Sequence, residues 1–341
     1  MTFRLNNHTD PAYHLRPNKA VDRLILVDSA RHLDRLYPFE SSYYIGFGGP
    51  YLEDIKLFQG MFPRMRLISI EENEDKYKRQ LFHKSSRNVA LIHSTFSSYL
   101  DNDFPTGQRS IVWLDSTHMN RASIDEFVTV CKNVGENSLV RLTLPASLPQ
   151  WARGFRLDRD GNPLPKYNTQ FQTHSSTYLS PYLDLIPSGM QIQTRDMFFP
   201  DFFRLLQIFI RSAIEQAMPS YSLKRFLPIQ TSIYSDGVPM ISVTGIICIN
   251  QTIDKIRKYF SRHFTYGHCD WCIPDIIDVP RLSTKERFFL DSKLPKHRPN
   301  GKTVGKILKY SIGDDEDDHI DKCSQYEKYF ALYPYFERIL P

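Results

Sequence analysis

Residues 42–58 read Ser42-Tyr43-Tyr44-Ile45-Gly46-Phe47-Gly48-Gly49-Pro50-Tyr51-Leu52-Glu53-Asp54-Ile55-Lys56-Leu57-Phe58. Ser42 to Ile45 has the character of a short buried strand, and Gly46 to Gly49 interrupts it. From Tyr51 onward the apolar residues recur at helical spacing, with Glu53 and Asp54 near the start, where acids complement the helix dipole. The order is strand, glycine turn, helix. Such a turn needs glycine because the backbone bends sharply and a ligand must approach it without a Cβ in the way. The helix that follows offers its first N–H groups to a polar or anionic group.

Working outward, the same alternation repeats. Downstream come a strand at Arg66–Ile70 ending in Glu71-Glu72, a helix over Glu74–His83, and a strand at Val89–Ile92 followed by His93-Ser94-Thr95-Phe96. A strand at Ser110–Leu114 ends on Asp115, and a helix from Ser123 to Val134 leads to a strand at Ser138–Leu144. Upstream, Ala20 to Tyr37 is amphipathic and Pro38 stops it. Strict alternation of this kind predicts an α/β fold, a Rossmann-like, mostly parallel sheet with helices on both faces. Ligands of such sheets sit at the carboxyl ends of the strands. Gly46, Gly48, Gly49, Glu71, Thr95 and Asp115 all fall there. Glu71 stands about 20 residues beyond the turn, where adenosine-binding folds accept hydrogen bonds from ribose hydroxyls. Glu71 also reads as a cap of the next helix, and Asp115 reads equally as an active-site residue or a helix N-cap.

Two β-rich runs, Leu227–Tyr234 and Val238–Ile249, flank Ser235-Asp236-Gly237, a hairpin signal. A helix over Pro200–Met218 precedes them. An antiparallel last strand on a parallel sheet resembles the class I S-adenosylmethionine-dependent methyltransferases, over about residues 38–145 and 198–250. A nicotinamide-dependent oxidoreductase requires a parallel sixth strand, which the hairpin opposes. The resemblance implies S-adenosylmethionine as cofactor, with Gly46, Gly48 and Gly49 under its methionine part and Glu71 on its ribose. It also implies Thr95 or Phe96 beside adenine and Asp115 next to the transferred methyl group. Asp115, His118 and His93 are the candidate bases, Asp115 and His118 foremost. Where the family has an acid just before the glycine turn, this chain has Tyr43 and Tyr44, with Glu53 or Asp54 nearby.

Asp115-Ser116-Thr117 is not the Asn/Asp-Pro-Pro-aromatic motif of amino-directed nucleic-acid methyltransferases, so an oxygen acceptor is preferred to an exocyclic base amine. The run from Trp113 to Asn120 is similar to small-molecule O-methyltransferases, but their metal-binding Asp-Asn is replaced by Thr143-Leu144-Pro145, so no metal is expected. The other reading is a catalytically silent relative serving as a binding or assembly partner. The layout is similar to methyltransferase-like proteins encoded near bacterial defence genes.

The rest of the chain bounds these readings. The expected organisation is an N-terminal helical element (1–40), the Rossmann-like domain (41–250) with an irregular insertion at about 146–198, and a C-terminal extension (251–341). In the insertion, 151–188 lacks regular pattern and Asp158 to Pro163 marks a turn. Five cysteines do not form a disulfide framework, no apolar run approaches the ~20 residues of a membrane span, and the polar Met1–Pro11 has no signal-peptide core. A reduced, cytoplasmic location with no membrane partner is the expectation. Cys269 and Cys272, with His263 and His268, have zinc-ligand types, but only one Cys-x-x-Cys pair exists. Between Arg281 and Lys309 stand nine Lys or Arg against two acids, compatible with nucleic-acid phosphates, and Asp314 to Asp318 follows as an acidic, solvated run. Tyr326 to Phe336 reads as a terminal helix packed on a core.

Overall fold

A computed structural model describes residues 16–148, 164, 168–198, 201–272, 274–294 and 308–333. Its strands are β1 (Tyr43–Gly46), β2 (Arg66–Glu71), β3 (Val89–His93), β4 (Ser110–Asp115), β5 (Ser138–Pro145), β6 (Lys224–Ser235), β7 (Pro239–Ile249) and β8 (Asp275–Ile277). The sheet order is β3-β2-β1-β4-β5-β7-β6-β8. β1 pairs in parallel with β2 (Gly46 opposite Ser69) and with β4 (Ile45 opposite Val112). β2–β3 and β4–β5 are also parallel, whereas β7 runs antiparallel to β5, from Ser138 opposite Ile247 to Pro145 opposite Met240. This is the Rossmann-like methyltransferase-type sheet expected from the sequence, its hairpin included.

The described chain divides into two compact units. In the larger (Val27–Ile233 and Val238–Asp275), β1, β4 and β5 are buried almost throughout, as strands covered on both faces must be. Successive strand residues point to opposite faces. Ile45, Val112, Leu114, Val140 and Leu142 join one core with α4 (Phe96–Asn102), α5 (Arg121–Asn133) and α7 (Asp201–Ala217). α7 buries Phe202, Leu205, Leu206, Phe209, Ile210, Ala213 and Ile214, the three-and-four spacing of an apolar helix stripe. On the other face Tyr44 stacks on Phe58 of α2 (Glu53–Met61), ring centroids 4.2 Å apart. A chain of buried polar groups crosses the sheet: Trp113 Nε1 donates to Thr143 Oγ1 (3.0 Å), and Thr143 Oγ1 lies 2.9 Å from Ser242 Oγ. α3 (Glu74–His83) lies between β2 and β3, and α8 (Asn250–His263) follows β7 and buries Ile253, Ile256 and Phe260.

Two readings of the sequence are corrected. The insertion is not irregular throughout: α6 (Asn168–Leu179) and a 3-10 turn (Ser180–Leu185) occupy it, with Phe171, Tyr182 and Leu185 in the core. The polar residues of α6, rich in Ser and Thr, are poor helix formers, so tertiary anchors decide the outcome. Tyr182 stacks on Phe209 at 4.9 Å. The predicted turn at Asp158 to Pro163 lies outside the described residues.

The smaller unit comprises residues up to Leu26, Tyr234–Gly237 and those from Ile276 onward. Here Asp236 of the hairpin accepts from the backbone N–H groups of Asn18 (3.3 Å) and Lys19 (2.8 Å), capping the start of α1 (Pro17–Leu36). Asn18 Oδ1 accepts from Val279 N at 2.8 Å. α9 (Thr284–Asp291) opens on a Ser283/Glu286 capping box. The acidic run is solvated, as expected, but is a helix start rather than a loop: Asp315 caps α10 (Glu316–Tyr329), and three acids fill its first turn. Tyr326 and Tyr329 are fully buried.

Candidate functional site

β1 ends at Gly46, and the chain turns through Gly48 (φ +65°), Gly49 (φ +57°) and Leu52 (φ +57°) into α2. Three left-handed residues in five tighten the turn, and Leu52 makes no side-chain cap to the helix it precedes. The turn is fastened from β2 and α3. The fully buried Gln80 donates through Nε2 to Phe47 O (2.9 Å) and Gly49 O (3.0 Å), and Ser69 Oγ lies 3.0 Å from Phe47 O and 3.1 Å from Gln80 Oε1. A Cβ at Gly48 would stand 2.6 Å from Ser69 Oγ and 2.9 Å from Leu52 Cδ2; one at Gly46 would stand 2.9 Å from Tyr44 Oη. These two glycines therefore let β2 and Tyr44 approach the turn from below. Phe47 packs edge-on against Phe96 (5.7 Å), tying the turn to the start of α4.

Glu71 is the last residue of β2, opposite His93 at the end of β3. Its Oε1 accepts from Asn73 N (2.8 Å), and Asn73, not Glu71, caps α3. Thr95 is exposed and caps α4, accepting from Ser98 N at 3.2 Å. His93 is exposed, stacks on Tyr77 (4.8 Å) and has Nε2 3.1 Å from Glu72 O. Asp115 ends β4 half-buried, and the cap of α5 is Asn120, which accepts from Ser123 N at 2.8 Å. The N-cap reading of Asp115 is thereby excluded. His118 is exposed on the intervening loop with Nδ1 2.9 Å from Thr117 Oγ1. The structure thus brings Gly46, Glu71 and Asp115 to the carboxyl ends of β1, β2 and β4. Glu71 and Asp115 flank β1, about two strand spacings (roughly 10 Å) apart.

Residues that the sequence reading did not single out complete the surroundings. Glu126 on α5 has its carboxyl raised above the usual range, first by burial and then by the nearby charge of Glu72. Arg121 at the start of α5 holds the insertion: its Nη1 and Nη2 donate to the Asp184 carboxylate (2.5 and 2.9 Å), its Nη1 to Pro181 O (2.9 Å) and its Nε to Asp125 (2.8 Å). That holds Asp184 below the ordinary carboxylate range. Gln80 carries no signal in sequence: it is buried while its apolar neighbours Leu81 and Phe82 are exposed, the reverse of what residue type predicts.

The other candidates separate from this region. Among the described residues no group of three or more His, Cys, Asp or Glu could hold a metal ion. Cys269 Sγ instead lies 3.9 Å from Arg257 O, and burial pushes its thiol up. Much of the basic segment, 295–307, lies outside the described residues; within the rest, Arg287 is buried, with Nε 3.4 Å from Asp291 and Nη2 donating to Tyr333 O (3.0 Å). No helix of the described residues is long and apolar enough to cross a membrane.

Residues 11–341 match a family described as "Putative O-methyltransferase". No curated protein matches the chain. Among solved structures, an S-adenosylmethionine-dependent methyltransferase from Anabaena variabilis ATCC 29413 is similar at 10% identity, over 68% of this chain and 86% of that one, with a TM-score of 0.34. A "probable spermidine synthase" from Corynebacterium glutamicum ATCC 13032 is similar at 11% identity over 36% and 47% (TM-score 0.32). The S-adenosylmethionine-dependent methyltransferase SibL in its apo form is similar at 11% over 61% and 50% (TM-score 0.31). The chain spans about half the length of these last two.

Proposed function

Because the chain belongs to the family described as "Putative O-methyltransferase", a class I methyltransferase-like family, we propose that it transfers a methyl group from S-adenosylmethionine to an oxygen of an acceptor molecule. The observation that carries this reading is the convergence of the glycine turn, Glu71 and Asp115 on the carboxyl ends of three adjacent parallel strands. The residues fit such a cofactor. The turn is clamped from below by Gln80 and Ser69, and Glu71 is oriented by its bond from Asn73 N. Gly46, Gly48 and Gly49 would underlie the methionine part, Glu71 would accept from the ribose hydroxyls, and Thr95 or Phe96 would flank adenine.

When bound, S-adenosylmethionine supplies an electrophilic sulfonium methyl group. The chain's task is then mainly positioning, because in-line transfer depends on holding acceptor and methyl in contact. An acceptor hydroxyl must also lose its proton. Asp115, at the carboxyl end of β4, is the carboxylate we assign to receive it. His118, with Nδ1 held beside Thr117 Oγ1, presents Nε2 as the other base. Ser116 Oγ donates to His118 O (2.9 Å) and lies 3.0 Å from Ser123 Oγ, which stiffens the loop carrying both bases.

One observation favours a silent relative. Tyr44, where an acid is usual, is fully buried against Phe58, and a neutral hydroxyl cannot pair with the methionine ammonium. Calorimetric titration with S-adenosylmethionine and S-adenosylhomocysteine decides between them. Micromolar binding is expected, weakened tenfold or more by Glu71→Ala with the thermal midpoint unchanged, or about 1.4 kcal/mol. No heat with either ligand would overturn the enzyme reading.

A further inference from the structure

A cavity of about 710 Å³ opens at the other end of the sheet. Ser138, the first residue of β5, lies opposite Ile247 near the end of β7, so β6, joined to the start of β7 by a hairpin, begins at the end where β5 begins. Arg225 to Pro228 of β6 line the cavity there, whereas Gly46, Glu71 and Asp115 stand at the strands' carboxyl ends. The remaining walls come from the last two turns of α7, from Ile253 and Arg257 of α8, and from the loop Cys269 to Cys272. The volume is that of a small-molecule site.

The walls are built rather than incidental. Trp271 stacks on Phe226, centroids 5.6 Å apart and planes at 15°. Phe226 in turn lies over Gly245 of β7, where an added Cβ would overlap its ring. The loop is tied down by Gln207, itself buried, whose Nε2 donates to Cys272 O at 2.9 Å. Ile214, Met218 and Leu227 supply an apolar floor.

The charges are unequal. Arg211 is committed to Glu215 (2.8 Å). Arg257 reaches only the highly exposed Asp254, at 3.9 Å, and Arg225 makes no ion pair among the described residues. Against these two cations the cavity sets Asp270, which stands two residues from Cys272 on the same loop. Burial pushes the Cys269 thiol up and the Cys272 thiol up to about 11, so both are neutral wall groups at physiological pH rather than nucleophiles. An aromatic face beside two under-used guanidinium groups suits one class of molecule.

We propose that this cavity binds a small planar aromatic anion, its ring against Trp271 and its carboxylate or phosphate between Arg225 and Arg257. The site is independent of the methyl-transfer reading. The test is calorimetry on the full chain with two anionic probes, 2-naphthoate and uridine 5′-monophosphate, each beside its neutral counterpart, 2-naphthamide and uridine. At least one anion should bind at least tenfold tighter than its counterpart, and which one identifies a carboxylate or a nucleotide as the source. Arg225→Gln, at a side chain without an ion pair, should remove that tenfold preference while the circular dichroism spectrum is retained. Saturating S-adenosylhomocysteine should leave the affinity unchanged. Absence of binding by both anions, equal affinity for anion and neutral probe, an unaffected Arg225→Gln variant or displacement by S-adenosylhomocysteine would each overturn the proposal.

Discussion

Gly48→Ala is the sharpest perturbation of the turn that opens the fold. At φ +65° an alanine pays for a left-handed backbone, about 1–2 kcal/mol. Its Cβ would also stand 2.6 Å from Ser69 Oγ, 2.9 Å from Leu52 Cδ2 and 3.3 Å from Ile55 Cγ1. Ser69 cannot swing away without leaving Phe47 O and Gln80 Oε1, so overpacking adds about 1–3 kcal/mol. The total is about 2–5 kcal/mol, and 3 kcal/mol corresponds to a fall in thermal midpoint of roughly 4–6 °C for a protein of this size. Gly189→Ala separates the two contributions: its φ is +80°, but nothing lies within 4 Å of the new Cβ, so about 1 kcal/mol, or 1–2 °C, is expected. Gly60→Ala, within α2 and in open space, should instead gain about 0.5–1 kcal/mol. Scanning calorimetry on the three variants gives the ranking. If Gly48→Ala falls no further than Gly189→Ala, the claim that β2 presses on the turn is wrong. Ser69→Ala in the Gly48→Ala background should recover part of the loss.

Gln80→Leu removes the two amide hydrogen bonds to Phe47 O and Gly49 O, which at about 0.5–1.5 kcal/mol each should cost about 1–3 kcal/mol in thermal unfolding and weaken S-adenosylmethionine binding in calorimetry. Glu126→Gln should stabilise the protein at pH 7. Because the folded carboxyl titrates above its unfolded value, its ionisation penalty grows as pH rises from about 4.5, so midpoints measured at pH 4 or below should coincide with the wild type. Arg121→Gln should speed limited proteolysis between Ile186 and Met197. Since Arg121 holds Asp184 below its ordinary value, the pair's contribution is present above about pH 3.8 and lost as pH falls through the lower folded value, so the stability gap between variant and wild type should close in acid.

The alternation of strands and helices was legible because each β run is short, apolar and bounded by polar or glycine residues. α3 occupies the predicted Glu74–His83, and β2, β4 and β5 extend the expected strands by one residue each, through Glu71, Asp115 and Pro145. α4 escaped because seven residues, Phe-Ser-Ser-Tyr-Leu-Asp-Asn, are too few to display a period. β6 begins at Lys224 rather than Leu227 because Lys224 Nζ is drawn to the carbonyls of Lys132 (2.9 Å) and Val134 (2.7 Å), an attraction across 90 residues that no local pattern carries. The positions of Gly46, Glu71 and Asp115 followed from topology alone. The clamp of Gln80 and Ser69 on the turn did not, because it joins three separate elements. Nor did the cavity lined by Trp271, whose walls come from α7, β6, α8 and a loop.

The antiparallel closure of the sheet has a consequence during synthesis. β5 is buried over seven of its eight residues, the polar Ser138, Arg141 and Thr143 included, yet its partner β7 begins some 90 residues later. A ribosome adding about 5–20 residues per second leaves that interval open for several seconds or longer. Throughout it, the nascent chain displays a strand edge with unpaired N–H and C=O groups, able to template pairing with another chain. Lengthening the intervening segment adds little to the equilibrium cost of closure, about 0.6 kcal/mol per doubling, but prolongs this exposure in direct proportion. Yield at high expression, more than stability once folded, is therefore where a longer insertion would be felt.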